Sequence, residues 1–363
     1  MNPPPLPRTD LPVPSDFLTP RSGVDSRRPP ALRSSKRSFA WRLAGLVPLM
    51  ALIAQTASAL ELEWVVVSDP GNPADKTGYG AVAYAFEITK TEITLAQYAE
   101  FLNAVAANDP HQLWRPDYKN APRASMMRER TLIDRTGEPG SYRYSVPPEA
   151  ARQPVSYIGF FEAMRFANWI HNGQGLADTE TGAYAISESR GLALHTPSAR
   201  VWIPTEDEWY KAAYYHPESA GGPPGGYWLY PTRSNQPPKA KGAGDPEPNA
   251  ASFGGYDGEK THTSYDFLPV GSLPQASSHY GTFDQGGNVW EWNEAILFQK
   301  QRGMRGGSTP HTVDKLRSQV RSSASPERRY PDTGFRLARA LSAAVNPPPP
   351  APAPAPSSGS PAQ

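Results

Sequence analysis

Apolar residues recur at helical spacing in three stretches of this chain, and each stretch carries its own boundary signal. In ITLAQYAEFLNAVAAN, Leu95, Tyr98, Leu102 and Val105 fall on one face. Thr94 and Gln97 make a capping box ahead of them, so a helix is expected to start at Thr94. PVSYIGFFEAMRFANWIHNGQG predicts a second helix, with Ala163, Met164, Ala167 and Ile170 facing inward and Gly173 placed to stop it. In VWIPTEDEWYKAAYYHP, Thr205 and Glu208 form another capping box before the buried stripe of Trp209, Ala212 and Ala213. Glu206, Asp207 and Glu208 then sit in a first helical turn, where the helix dipole favours acids by about 0.3 to 1 kcal/mol each. That placement explains them without catalysis. Short strands are expected in AVAYAFEI and GFRLARAL, and the remainder is rich in Gly, Pro, Asn and Ser. Much of the chain should be irregular and held by aromatic packing from nine Trp and 17 Tyr.

From Leu60 to about Ala340 there is no repeat, long linker or heptad, so residues 60–340 read as one large domain. The ends differ from it. Proline crowds residues 1–34 and returns in residues 341–363 as NPPPPAPAPAPSSGSPAQ, and both segments are expected to be disordered, having little apolar surface to offset ordering entropy. Residues 35–59 have the layout of an export signal: Lys36, Arg37 and Arg42, an apolar run from Leu43 to Ala54, then Ala57, Ser58 and Ala59. The run is about a dozen residues, short for a bilayer span of about 20. Export to the periplasm or the extracellular space is the expectation, with cleavage after Ala59; an uncleaved membrane anchor is the other reading of this segment.

Charge and cysteine content narrow the chemistry. Residues 1–59 carry eight of the 36 basic and three of the 35 acidic groups, which leaves 28 against 32 and a formal charge of about −4. Nothing in that balance points to nucleic acid, whose binding leans on positive charge. The chain has no cysteine, which excludes disulfides, thiolate nucleophiles and thiolate-bound zinc or copper.

EITKTEITLAQYAEFLNAV, PVSYIGFFEAMRFANWI, IPTEDEWYKAAYY, YGTFDQGGNVWEWNEA, RGGS and GFRLAR follow one another over about 270 residues. In order and spacing they resemble the sulfatase-modifying-factor, or formylglycine-generating-enzyme, domain. FANWIHNGQ, TETGAYAI, EWYKAAYY and GTFDQGGNVWEWNEA resemble an exported bacterial branch of that family. The resemblance implies an irregular α+β fold related to C-type lectins, low in regular secondary structure. It also implies that the segment ending in GNVWEW wraps a structural calcium ion, through the side chain of Asp284, the carbonyls of Gly287 and Val289, and the carboxylate of Glu291. Calcium takes about 6 to 8 oxygen ligands, and glycines let carbonyls turn inward. The other reading is that Asp284 and Glu291 cap turns and accept backbone hydrogen bonds. Asn249 and Ala250 fit the first half of the family's second calcium site, whose aspartate has no clear counterpart here.

The family's enzymes oxidise a substrate cysteine with oxygen at a copper(I) ion held by two thiolates after RGGS. Here those positions are His311 and Leu316, so that copper centre cannot form. The motif's serine is kept as Ser308, which a turn explains equally well. His311 with Asp314 is the one suggestive pair nearby, and a pair is too few for a transition metal. Relatives that use iron take histidines from an extra helical domain, for which this chain has no room. No nucleophile elbow, phosphate loop or zinc-protease motif appears, and scattered Ser, His and Asp residues warrant nothing by composition. Arg302 to Arg339 holds nine Lys and Arg against three Asp and Glu, a candidate anion-binding face for acidic glycans unless those side chains are tied to core carboxylates.

Two functions remain. One is a calcium-stabilised binding or scaffold module for a peptide, protein or glycan; the alternative is a formylglycine-generating-type oxidoreductase working through an unrecognised centre.

Overall fold

A computed structural model describes residues 59–115, 132–176, 178–186, 192–254 and 267–341. The Pro-rich ends and most of the expected export signal lie outside the described residues. Among the described residues no helix is long and apolar enough to cross a membrane.

The three expected helices are present. α1 spans Leu95–Val105 with Thr94 as its cap, its side chain accepting from the Gln97 amide while Gln97 returns to the Thr94 amide. α2 spans Phe160–His171 and ends before Gly173, whose φ is 87°. α3 spans Glu206–Tyr214, with Thr205 and Glu208 in the reciprocal cap. These caps satisfy amides that a helix start leaves without partners, a stabilisation of about 1 kcal/mol each.

The strands are short. β1 (Trp64–Val67), β2 (Phe86–Thr89), β5 (Val201–Trp202) and β12 (Ala338–Ala340) form one sheet in the order β1-β2-β12-β5. β12 therefore lies between two strands from much earlier in the chain, antiparallel to both. A second sheet, β10-β9-β8-β11, contains β8 (Trp290–Leu297), β9 (Gln301–Arg305), β10 (Ser322–Ala324) and β11 (Thr333–Gly334). Two small pairs complete the set among the described residues, β3 (Asp134–Thr136) with β4 (Arg143–Ser145), and β6 (Lys239–Ala240) with β7 (Ala250–Ala251). The fold is α+β with little regular structure, as expected.

Aromatic packing takes the place of long elements. Phe166 of α2 stacks on Tyr98 and meets Phe101, Trp169 and Phe335 edge-on, all of them buried. A second cluster around α3 gathers Trp209, Tyr210, Tyr214, Tyr215 and Tyr227. Burying one such side chain contributes roughly 1.5 to 3 kcal/mol.

The basic run is used internally. Arg305 and Arg321 sit on Glu206, Arg329 on Glu162, Arg336 on Glu291 and Arg339 on Glu87. Arg302, Arg305 and Arg336 are fully buried, so these three guanidiniums hold the core rather than present a basic face. The acids of the first turn of α3 are likewise structural. Glu206 pairs with those two arginines, Asp207 accepts from the Gly80 amide at 2.8 Å, and Glu208 accepts from Tyr84 and Trp202.

Candidate functional site

The glycine-rich loop leading into β8 turns repeatedly through left-handed backbone, with φ of 61° at Asp284, 90° at Gly287 and 54° at Asn288. Gly287 is required where it stands. Its amide reaches the Gly306 carbonyl, and a Cβ there would lie 2.2 Å from the Ser252 carbonyl oxygen. The loop ends with Trp290 and Trp292 buried, and Trp292 donates to the Ile158 carbonyl at 2.7 Å.

Glu291 faces inward from β8 with none of its surface exposed. Arg336 grips both of its oxygens, Nε at 2.6 Å and Nη2 at 2.8 Å, and Trp209 Nε1 donates to it at 2.8 Å. Asp284 accepts from the Gly271 amide at 2.7 Å. Burial pushes its carboxyl up to about 6, with Glu291 adding to the rise and Arg336 opposing it.

Beside them lies Glu92, an acid the sequence did not single out. It is 1% exposed, accepts from Asn288 Nδ2 at 3.1 Å and lies within hydrogen-bonding reach of Asp284; when both are ionised its other oxygen, Oε2, meets no donor among the described residues. Burial, then Asp284 and Glu291, hold its carboxyl well above the ordinary range.

Among the described residues one guanidinium, Arg336, faces the buried Glu92 and Glu291 and the half-buried Asp284, and it touches only Glu291, which leaves two negative charges without a counterion when all are ionised. A charge left that way in a protein interior is costly. The donor set is all oxygen and short of two positive charges, which fits calcium. Its side-chain geometry is incomplete: among the described residues no three His, Asp or Glu converge as a preformed metal cluster. A calcium ion would therefore take Asp284 and Oε2 of Glu92 with the Gly287 and Val289 carbonyls, while Glu291 is already engaged by Arg336 and Trp209. Asn249 and Ala250 lie close by. Ala250 and Asp284 line one small open cleft beside Thr232 and Thr282. The side-chain oxygen of Asn249 accepts from Thr232 at 2.7 Å.

The second half of the site follows β9. Gly306 and Gly307, with φ of 100° and 75°, turn the chain so that Ser308 is fully buried. The expected turn is there, the His311 amide bonding the Ser308 carbonyl at 2.9 Å, and the hydroxyl does more. Ser308 Oγ lies 2.6 Å from His311 Nδ1 and 2.5 Å from Asp332 Oδ2. Trp290 Nε1 approaches the same ring nitrogen at 3.3 Å. The acid that accompanies His311 is thus Asp332, not Asp314, which pairs with Arg317 on the surface. β11 pairs in parallel with β8 and so brings Asp332 beside Trp290, whose amide bonds the Asp332 carbonyl at 2.7 Å. No local sequence signal could have announced that contact.

Leu316 faces the other way. It is fully buried against Tyr230 and Ala251, while His311 belongs to the Ser308 cluster. The two positions that the resemblance assigns to copper are therefore an imidazole tied to a serine and an apolar plug.

Residues 69–341 match the sulfatase-modifying factor enzyme 1-like domain, and the chain belongs to that family. Among curated proteins it is similar to hercynine oxygenase of Mycolicibacterium smegmatis, 24% identical over 279 residues, which are 70% of this chain and 53% of that protein. The chain thus spans about half the length of the curated relative it matches. Similar solved structures include CarF, at 20% identity and TM-score 0.48 over 78% of this chain and all of that one. Variable protein 1 of Treponema denticola is 18% identical, with TM-score 0.44 over 77% and 95% of the two chains. PvdO from Pseudomonas aeruginosa is 18% identical, with TM-score 0.40 over 78% and 93%.

Proposed function

We propose that this chain is an exported, calcium-stabilised binding module of its family, which takes a peptide or glycan and does not carry out copper-dependent cysteine oxidation. The observation that carries this reading is Leu316, a fully buried hydrocarbon packed on Tyr230 where the family resemblance calls for a thiolate. The family's copper(I) is held by two thiolates, and the chain has no cysteine. The calcium half of the reading is supported by the two charges left uncompensated when Glu92, Asp284 and Glu291 are all ionised, and by the Glu92 oxygen that then meets no donor among the described residues. Bound there, calcium supplies charge balance and fixes the loop ahead of Trp290; it needs no part in any reaction.

The test uses the purified protein with a cysteine-containing sulfatase peptide, copper and oxygen. The expected result is no aldehyde on the peptide, no peptide-dependent oxygen uptake, and calcium without stoichiometric copper or iron on metal analysis. Formylglycine on the peptide, free of contaminating enzyme, would overturn the reading in favour of an oxidoreductase. Export rests on Lys36, Arg37 and Arg42 ahead of the apolar run, and a mass spectrum of the mature protein checks it. A new N-terminus at or near Leu60 is expected. An intact segment in a membrane fraction would instead indicate a tether.

A further inference from the structure

The hydrogen bonds around Ser308 contain more contacts than one hydroxyl proton can serve. Oγ lies 2.6 Å from His311 Nδ1 and 2.5 Å from Asp332 Oδ2, both within bonding distance. A serine hydroxyl has one proton, so a second must sit on Nδ1 or on Asp332. With the proton on Nδ1, the chain runs Nδ1–H to Oγ, then Oγ–H to a carboxylate, and both short contacts carry a proton, while the Trp290 indole N–H gives up Nδ1 as its acceptor. The opposite order needs a neutral carboxylic acid 3.5 Å from an imidazole, which is the stronger base. Trp290 Nε1, edge-on to the ring at 3.3 Å, favours that opposite order, but it is the longest contact of the set.

The remaining ring nitrogen, Nε2, has no partner among the described residues, and the His311 side chain is 35% exposed. Ser308 has none of its surface exposed, so it cannot itself meet a ligand. Burial, with Lys315 nearby, keeps the imidazole below its ordinary 6.5 although Asp332 pulls the other way, in keeping with a neutral ring at pH 7.

We propose that Ser308 and Asp332 are positioning residues that lock His311 in the Nδ1–H tautomer, leaving Nε2 as a proton acceptor for a hydroxyl-bearing ligand. The ligand class is a glycan or a hydroxyl-containing peptide, which deepens the binding reading and rests on it for the ligand alone. The hydroxyl places its O–H on Nε2 as a hydrogen bond. Where the hydroxyl is that of water beside an acyl group, the O–H bond breaks, Nε2 takes the proton, and the oxygen adds to the acyl carbon. The proton then leaves with the departing oxygen, so nothing is oxidised and no group stays on the protein. The carboxylate of Asp332, reached through Ser308, stabilises the transient imidazolium.

Two measurements on the full chain test this. Long-range ¹H–¹⁵N correlation spectra report the tautomer, with the His311 signals assigned by their absence in His311→Gln. The expected result is the Nδ1–H form at pH 7.5 in the wild type, converted largely to Nε2–H in Ser308→Ala and Asp332→Asn variants that keep the wild-type melting temperature. With p-nitrophenyl acetate as probe, the rate constant should fall about tenfold in His311→Gln, with no burst of nitrophenolate. An Nε2–H wild type, or hydrolysis indifferent to His311→Gln, would refute the assignment. A burst of one nitrophenolate per chain would make a side chain the nucleophile and equally overturn it. Neither readout depends on copper, calcium or cysteine oxidation, so failure here leaves the binding reading standing.

Discussion

Glu92→Gln separates the roles of Glu92, Asp284 and Glu291. The substitution keeps shape and the oxygen that accepts from Asn288, while removing one of two charges that Arg336 leaves uncompensated. In chelator, the variant should be more stable than the wild type, because its amide can donate to Asp284 where the ionised carboxylate's Oε2 meets no donor among the described residues. Relief of such a group is worth about 1–3 kcal/mol. With calcium at about 100 times its Kd, the wild type should gain about 2.7 kcal/mol by mass action. For a domain of this size each kcal/mol moves Tm by about 2–4 °C, so chelation should lower the wild-type Tm by about 5–10 °C. The variant should lose most of that response, and the order of the two melts should reverse between chelator and calcium. Scanning calorimetry in both buffers measures this directly. Equal calcium responses in the two proteins would show that Glu92 holds no ion, and an unchanged wild-type melt in chelator would remove the calcium site altogether.

Other perturbations probe the parts around it. Glu291→Ala should destabilise by about 3–5 kcal/mol in chelator and in calcium alike, since it strands Arg336 in the core; denaturant unfolding in both buffers checks that the loss is the same. Leu316→Ala should lower stability by about 2–5 kcal/mol, again by denaturant unfolding, because it opens a cavity against Tyr230. His195 supplies the pH test. Burial opposes its charge, but the Glu294 carboxylate at 2.8 Å outweighs burial and holds the imidazole above its ordinary 6.5. The stabilisation from this pair is therefore complete below 6.5 and lost as pH rises through the higher folded value. An NMR titration should place the His195 midpoint above 6.5 in the wild type and below it in Glu294→Gln; a midpoint unmoved by the substitution would contradict the pairing.

The features legible in the sequence were those written locally. Thr94 with Gln97, and Thr205 with Glu208, fix helix starts within four residues, and both caps are present. The acids of α3 belong to a helix start, as their spacing indicates, although the partners of Glu206, the buried Arg305 and the part-exposed Arg321, lie about a hundred residues away and left no local trace. The same distance hid Glu92, which reads as an ordinary acid in EITKTEIT until the loop ahead of β8 folds over it. It also hid Asp332, which reaches Ser308 only because β11 pairs with β8. The anion-binding reading of the Arg302–Arg339 run fails at the paired arginines for a physical reason: the carboxylates that hold Arg305, Arg329, Arg336 and Arg339 come from α3, α2, β8 and β2, and composition along one segment cannot count them.

The placement of β12 sets a condition on how the protein comes into being. Residues 338–340 are the inner strand that joins β2 to β5, yet they are among the last of the described chain to leave the ribosome. Until then two strands synthesised long before have open edges facing each other across a gap, and closing it requires contact between positions some 250 residues apart. This sheet cannot close before residues 338–340 have been made, and a chain cut short ahead of Ala338 would keep open edges that invite pairing with its neighbours.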